Sequence, residues 1–461
     1  MNMGIISVIA LVATLFATPI SAFKFQAVKA QAIIVPNDFP SIQQAIDAAE
    51  PGSTVYVRAG TYVENLIVNK SITLKGEEKE STIVSGNGNT VIQLEADNIT
   101  VENLTIRDGG FSYNTNSGVI SIGHSNNSIL NDIFLDNLVS IYLNQSNSNI
   151  IAENTITGAT QWYYIELENS NDNIVRDNSM INNTGYGILL LSSHSNLVDN
   201  NSVTGVENSA NFEVGIDAES SFNDTIQNNI VKYNRYSGIM LRSTRDLVLD
   251  NLVSSNNFGI YSSDSNTTIS QNIIFNNTLG ALDNSQDVIF NNSFIQNQQQ
   301  IQTNLADGKI VDAGYASRGN FWDDYTGTDY FSGPLQNEPG SDGIGDTPYG
   351  VAGGCLDRYP LFLPSVPSGE ISAQAPLYEF YEILLSKCDV LLTHYNELTF
   401  NLTRQIENET SAKSQLEAEL TTTKQIAYAL LIATVGLSVA VAILVVRNRK
   451  HAVSRDPLPR V

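Results

Sequence analysis

Ile151-Ala152-Glu153-Asn154-Thr155-Ile156 returns as Val175-Arg176-Asp177-Asn178-Ser179-Met180, then as Val198-Asp199-Asn200-Asn201-Ser202-Val203. The frame Ile-x-x-Asn-x-Ile continues at Ile226/Asn229/Val231, Val248/Asn251/Val253, Ile269/Asn272/Ile274 and Ile289/Asn292/Phe294. An earlier copy, Ile129 to Phe134, has Asp132 at the Asn position. From Asn154 onward the copies lie about 20 to 24 residues apart, with one longer step of about 28 between Asn201 and Asn229. Apolar residues alternate at period two, so the unit is made of strands. Each strand is short, and no crossover helix separates it from the next. A turn of about 22 residues built from several short strands is the arithmetic of a right-handed, single-stranded parallel β-helix, an all-β solenoid. One coil cannot bury its own apolar edge, whereas coils stacked at about 4.8 Å bury a continuous core. The repeated Asn is expected to form an internal ladder at a turn, each amide bonded to its copies above and below.

A second segment of each coil reads Gly-Ile-x-Leu-x. Copies are Gly118-Val119-Ile120-Ser121, Gly187-Ile188-Leu189-Leu190, Gly215-Ile216-Asp217-Ala218, Gly238-Ile239-Met240-Leu241 and Gly259-Ile260-Tyr261-Ser262. Strand alternation points the x positions outward. The first outward column is then Tyr142, Glu166, Leu189, Asp217, Met240 and Tyr261, and the second is Asn144, Glu168, Leu191, Glu219, Arg242 and Ser263. Trp162, Tyr163, Tyr186, Phe212, Arg235 and Tyr236 lie just upstream, and the long coil inserts residues 205–213 beside them. Carboxylates next to aromatic platforms are what sugar recognition needs. The candidate glycan-binding residues are therefore Trp162, Tyr163, Glu166, Glu168, Asp217, Glu219 and Arg242. Glu166 and Asp217 are expected two rises apart, roughly 9 to 10 Å, at the edge of the separation used by inverting glycosidases. No constellation is specific enough to name a catalytic residue. The bland alternative is a solvated acidic face with scattered aromatics.

Around this solenoid the chain divides further. Residues 1–22 read as a signal peptide: an apolar run closed by small residues, without a basic start. The β-helix spans 33–318. It opens on a capping helix in which Ser41-x-x-Gln44 resembles a capping box and Ile42, Ala45, Ile46 and Ala49 share one face. Early strands are expected at 54–57, 66–68 and 71–74. Residues 319–363, rich in Gly, Asp and aromatics, read as a C-terminal cap. Within them Asp342-Gly343-Ile344-Gly345-Asp346 offers acidic oxygens on a glycine turn. That makes Asp342 and Asp346 the candidate calcium ligands, with a plain hydrogen-bonded turn as the alternative. A linker follows at 364–376. A stalk at 377–425 carries a heptad seam of Leu384, Cys388, Leu391, Tyr395, Leu398 and Leu402, which would let it self-associate or pack back on the solenoid. Residues 427–446 are apolar, uncharged and long enough to span a membrane, and a basic tail occupies 447–461. The positive-inside rule puts that tail in the cytoplasm and all that precedes it outside.

The net charge is −24, and the basic tail leaves about −28 for the rest. Such a surface repels nucleic acid and anionic lipid, which removes both as partners for the solenoid. Cys355 and Cys388 have no CxxC spacing, so a cysteine zinc site is not expected. Outside the cell they leave open one disulfide, two free thiols, or Cys388 paired with its copy in a neighbouring chain. Roughly a dozen Asn-x-Ser/Thr sequons occur, among them Asn98, Asn144, Asn182, Asn223, Asn266, Asn401 and Asn408. Another, Asn103, is expected in the ladder.

Several stretches carry a family resemblance. Ile34-Val35-Pro36 leads to Ser41-Ile42-Gln43-Gln44-Ala45-Ile46 and on to Val55-Tyr56-Val57-Arg58-Ala59-Gly60-Thr61-Tyr62 and Lys70-Ser71-Ile72-Thr73-Leu74-Lys75-Gly76-Glu77. That opening is similar to pectinesterase-like and NosD-like β-helix proteins. The Asn repeats, Gly319-Asn320-Phe321-Trp322-Asp323-Asp324-Tyr325 and Asp342 to Tyr349 resemble the NosD family in particular, over residues 33 to 363. The wider group comprises carbohydrate-binding proteins and sugar hydrolases, and NosD itself is named for copper supply to a periplasmic reductase. The resemblance thus implies the β-helix fold and three functions: glycan or envelope-polymer binding, polysaccharide hydrolysis or lysis, or copper delivery. Copper wants His, Met or Cys clusters. His124, His194, His394 and His451 are far apart in sequence, and Met180 and Met240 are isolated. His124 and His194 fall three coils apart, about 14 Å, too far for one metal. The ligand content therefore argues against copper, and the leading expectation is a membrane-anchored extracellular binder of polysaccharide.

Overall fold

A computed structural model of the chain describes residues 32–110, 117–158, 163–207, 211–263, 266–305, 309–351, 354–365, 400, 404 and 420–425. The chain divides into two compact units, residues 1–372 and 373–461. The first is a right-handed parallel β-solenoid of about 11 turns. In the second, residues 400, 404 and 420–425 are helical. The expected signal peptide and membrane segment, and most of the stalk with Cys388, lie outside the described residues. Among the described residues no helix is long and apolar enough to cross a membrane.

Each coil contributes one strand to each of three parallel sheets. Sheet A runs from Ala32–Val35 to Val288–Phe290, sheet B from Gly60–Val63 to Phe321–Trp322, and sheet C from Leu66–Val68 to Gln299–Gln302. The Ile-x-x-Asn-x-Ile frame is one sheet A strand, a corner, and one sheet B strand. Ile151–Asn154–Ile156, for example, joins the strands Ile150–Ala152 and Thr155–Thr157. The Gly-Ile-x-Leu segment is the sheet C strand. Inward side chains stack by type along the axis: Ile151, Val175, Val198, Ile226 and Val248 in sheet A; Ile156, Met180, Val203, Val231 and Val253 in sheet B. All are buried and belong to one continuous core.

The corner Asn residues form the expected ladder. Asn154 donates from its backbone N–H (3.0 Å) and Nδ2 (2.9 Å) to Oδ1 of Asn178. The pattern repeats through Asn201, Asn229, Asn251, Asn272 and Asn292 to Asn320. Each amide thereby satisfies backbone groups that the turn takes out of the sheets. The residue before each ladder Asn from Asn154 to Asn292 is left-handed, as at Glu153 (φ 62°), Asp177 (φ 58°) and Asn200 (φ 54°), which is how a one-residue corner turns the chain from sheet A to sheet B. Asp132 takes the ladder place as expected, buried and accepting the Leu104 N–H at 2.8 Å. Asn103 does not: it is the left-handed residue one place earlier (φ 61°), half-exposed, and accepts from Asn131 Nδ2.

Two further ladders were not expected. At the corner from sheet C to sheet A, Asn127, Asn149, Asn173 and Asn196 chain onto Asp224 and then Asp246. At the corner from B to C, Asn234, Asn256, Asn277 and Asn297 do the same.

At the N-terminal end the helix read from Ser41 spans Ile42–Ala48, with Ser41 as its N-cap. Its Ile42, Ala45 and Ile46 enter the core, and the Glu64 carboxylate accepts the N–H groups of Ile42 and Gln43 at 3.0 Å each. Two of the three early strands fall where expected, at Thr54–Val57 and Leu66–Val68, and the third sits two residues later, at Thr73–Gly76. At the other end Asn320 and Trp322 extend the ladder and the sheet B core by one coil. Both then donate to Asp357 Oδ2, at 2.7 Å from the Asn320 N–H and 2.8 Å from the Trp322 indole.

Candidate functional site

Sheet C holds the outward columns in the expected register. Tyr142, Glu166, Leu189, Asp217, Met240 and Tyr261 are successive partners, as are Asn144, Glu168, Leu191, Glu219 and Arg242. Glu166 and Asp217 are thus separated by one coil, two rises or roughly 9 to 10 Å.

The first column differs from expectation in exposure. Glu166, Asp217, Tyr142, Leu189 and Met240 are all buried. Alternation sets the side of the sheet a residue takes, but neighbouring coils decide whether water reaches it. Arg242 Nη2 reaches back one coil to Asp217 Oδ2 at 2.5 Å and to Glu219 Oε2 at 2.8 Å, lying over the acid. Burial pushes the Asp217 carboxyl up to about 6, although Arg242 pulls the other way. Among the described residues its buried Oδ1 has no hydrogen-bond partner. The expected pairing of acids with an Arg one coil on is therefore realised as a closed ion triad.

Two coils earlier a second cluster forms. Tyr142 Oη donates a short bond to Glu168 Oε2, and Asn144 Nδ2 donates to both, at 2.8 Å and 2.9 Å. Burial and then the Glu168 bond drive the Tyr142 hydroxyl far above the usual phenol range.

The aromatics upstream of sheet C come together as one row along the solenoid axis. Successive ring centroids are 4.9 Å apart for Tyr163–Tyr186, 6.2 Å for Tyr186–Phe212, 4.1 Å for Phe212–Tyr236 and 5.4 Å for Tyr236–Phe258. Phe258 also meets Tyr261 at 6.0 Å. Phe212, from the inserted coil, is 52% exposed, and the other members are half-buried. The insertion thus supplies the ring that its own coil lacks, since Val214 occupies the register place of Tyr186. Trp162 lies outside the described residues. Phe258 and the buried Glu213 were not among the expected site residues. Phe258 was legible as the in-register successor of Ser237, but Glu213 carried no sequence signal beyond its place at the end of the insertion. A cavity of about 260 Å³, lined by Gln93, Leu94, Glu95, Ile120, Ile122 and His124, opens on sheet C nearer the N-terminus.

The candidate calcium ligands face donors. Asp342 Oδ2 accepts from Tyr315 Oη (3.0 Å) and Gln336 Nε2 (3.2 Å), and its Oδ1 accepts the Ile344 N–H (3.0 Å). Asp346 accepts from Thr328 Oγ1 (2.8 Å) and from the N–H groups of Tyr330 and Phe331 (2.9 Å each). These contacts describe a hydrogen-bonded turn. Donors for a softer metal are scattered. His124 lies 3.7 Å from Asp97, while His194, three coils on, stacks on Phe222 at 4.5 Å. Met180 and Cys355 are buried in the core. Among the described residues no group of three or more His, Cys, Asp or Glu is arranged to hold a metal.

Sequons Asn98, Asn223 and Asn266 are exposed left-handed residues between strands and Asn182 is an exposed left-handed residue within the strand Ser179–Asn183, while Asn144 is tied to Tyr142 and Glu168. Asn401 and Asn408 lie outside the described residues.

The family model described as periplasmic copper-binding protein (NosD) matches residues 46–212 and 206–327. No curated protein matches the chain. Among solved structures, the A-module of Azotobacter vinelandii mannuronan C-5 epimerase AlgE6 is similar at 17% identity and a TM-score of 0.45, over 57% of this chain and 91% of that one. The catalytic domain of a GH87 α-1,3-glucanase, in complex with nigerose, is 12% identical with a TM-score of 0.44, over 61% of this chain and 60% of that one. A mutant of the periplasmic alginate epimerase AlgG is 15% identical with a TM-score of 0.38, over 51% and 62%.

Proposed function

The chain belongs to the NosD family, and from that premise we propose that its solenoid binds a linear glycan or cell-envelope polymer along sheet C. The observation that carries this reading is the unbroken row Tyr163–Tyr186–Phe212–Tyr236–Phe258, one ring per coil beside the carboxylates of the same face. A sugar ring has apolar C–H faces that stack on aromatics and hydroxyls that bond carboxylates and guanidinium. A polymer laid along the axis would meet one platform per coil, at the coil rise of about 4.8 Å. Glu168, Glu219 and Arg242 supply the polar contacts at the rim; Asp217 holds Arg242 in place from beneath.

Burial favours binding over turnover. Glycoside hydrolysis needs one carboxyl at the leaving oxygen and another at a water or the anomeric carbon. Glu166 and Asp217 are both sealed from solvent, and Asp217 is engaged by Arg242. The copper in the family's name finds no matching donor set among the described residues. In this reading the solenoid stands outside the cytoplasm, with residues 1–22 as its signal and 427–446 as its single anchor. The Ile42–Ala48 helix closes one end and residues 319–363 the other. The exposed turn sequons carry glycans where the host has the machinery, and the stalk is where copies would associate.

The test is a glycan-array screen of the full chain in detergent, run with and without calcium, followed by incubation of any bound glycan and assay for new reducing ends or unsaturated products. Binding without products, unchanged by calcium, is expected. Products that vanish in Glu166→Gln or Asp217→Asn would replace binding by catalysis.

A further inference from the structure

Just after the last sheet C strand lies a buried lysine that the sheet C reading does not use. Lys309 opens the strand Lys309–Ile310, and Asp283 closes the strand Leu279–Asp283 in sheet C. Their side chains are 5% and 1% exposed, and Lys309 Nζ is in direct contact with Asp283 Oδ2. Among the described residues the amine has one other oxygen partner, Ser285 O at 2.9 Å. Asp283 Oδ1 accepts from the N–H and Oγ of Ser285 at 2.8 and 2.7 Å. From there a chain of hydroxyls leads to a second carboxyl: Ser285 Oγ to Ser262 Oγ at 3.4 Å, and Ser262 Oγ to Asp287 Oδ2 at 2.5 Å. Asp287 is itself buried and fixed by the Thr267 N–H on its other oxygen, at 2.8 Å. The cluster therefore comprises an amine held against a carboxyl and a third group able to carry protons, all screened from water.

We propose that Lys309 and Asp283 condense autocatalytically to an intramolecular amide, a covalent strap between sheet C and the strand that follows the solenoid. Burial disfavours an ion pair, so passage of the proton from the ammonium to Asp283 yields the neutral amine and carboxylic acid. Burial already raises the Asp283 carboxyl, with Asp287 adding to the effect against the pull of Lys309. The Nζ lone pair then forms a bond to Asp283 Cγ. The proton the nitrogen sheds passes by way of Asp283 Oδ1 and the hydroxyls of Ser285 and Ser262 to Asp287, and one returns along the same chain to the departing hydroxyl. The Cγ–O bond breaks, water leaves, and Asp287 is again a carboxylate. Amine plus carboxylic acid gives amide plus water, without any oxidant, reductant or cofactor. The contact supplies the proximity that makes such a step effectively unimolecular. This inference is independent of the glycan reading.

Trypsin reads the bond directly. Between Arg245 and Lys309 the sequence has no other Lys or Arg, and the next is Arg318. The full chain, produced in a host without glycosylation, is unfolded, reduced and digested, and its peptides are weighed. The proposal predicts that cleavage after Lys309 fails and that peptide 246–318 appears lighter by one water. A peptide 246–309 of full mass overturns it. So does a water-deficient 246–309, because loss of water as a succinimide at Asp283 leaves Lys309 cleavable. Asp287→Asn keeps the Lys309–Asp283 contact and should restore cleavage after Lys309. A bond that still forms in that variant would overturn the proton-carrying role of Asp287.

Discussion

Asp224 follows four asparagines, Asn127, Asn149, Asn173 and Asn196, in the ladder at the corner from sheet C to sheet A, and replacing it with asparagine should stabilise the solenoid in a pH-dependent way. Its Oδ1 accepts the Asn196 N–H at 2.8 Å and Asn196 Nδ2 at 3.1 Å, and its own N–H donates to Asp246 Oδ1 at 2.8 Å. Among the described residues its buried Oδ2 has no hydrogen-bond partner. Burial, helped by Asp246 and opposed by the Asn196 bonds, lifts the carboxyl from 3.8 to about 8. A carboxyl raised on folding favours the folded state fully below pH 3.8, and that advantage is lost as pH rises towards 8. A shift of about four units at ~1.4 kcal/mol each amounts to on the order of 5 kcal/mol above pH 8, most of it already present at pH 7. The Asp224→Asn side chain would keep the acceptor oxygen, and its amide would donate to Asp246 as Asn196 Nδ2 now donates to Asp224. Melting of wild type and Asp224→Asn by circular dichroism at a series of pH values tests this. Near pH 4 the midpoints should nearly coincide. Between pH 5 and 8 the variant should gain several degrees. A difference that stays flat across that range would refute the reasoning, because no protonation would then be linked to the ladder.

Removing a corner amide should loosen its own coil. Asn229→Ala takes the acceptor from the Asn201 N–H and the donor from Val198 O, buried groups worth about 1 to 3 kcal/mol each; hydrogen exchange should quicken ten-fold or more at Asn201, whereas Gln227→Ala should leave it little changed. Arg242→Met strips Asp217 of its counter-charge, so Asp217 should remain protonated well above pH 6, visible as a displaced carboxyl signal in titration by NMR. Copper titrated into the full chain by calorimetry should show no tight stoichiometric site in the solenoid; a site abolished by His124→Ala or His194→Ala would contradict the donor geometry.

The solenoid was legible because its ladder demands one residue type at one place. Ile-x-x-Asn-x-Ile cannot drift without losing either a core contact or an amide bond, so the corner from A to B and both sheet C columns were read in register. The other corners were obscured by substitution. Asp224, Asp246 and Thr267 keep the backbone bonding while breaking the Asn pattern, and Asn103 mimicked a ladder residue from one place too early. At the site, alternation gave the side of the sheet but could not give depth. Glu166 and Asp217 point outward and are nonetheless buried; over Asp217, Arg242 folds back one coil. The aromatic row was legible as scattered residues, but its continuity depends on Phe212 crossing from an insertion that the repeat does not specify.

The central claim is that this row is the binding surface. The direct measurement is array binding of the full chain against Phe212→Ala and Tyr236→Ala, the two rings in closest contact at 4.1 Å, with the melting midpoint as a control on folding. Loss of stacking at about 0.5 to 1.5 kcal/mol per ring should weaken binding several-fold in each single variant and ten-fold or more in the double. Retention of full glycan binding in a folded double variant, or no binding by wild type to any glycan, would contradict the account.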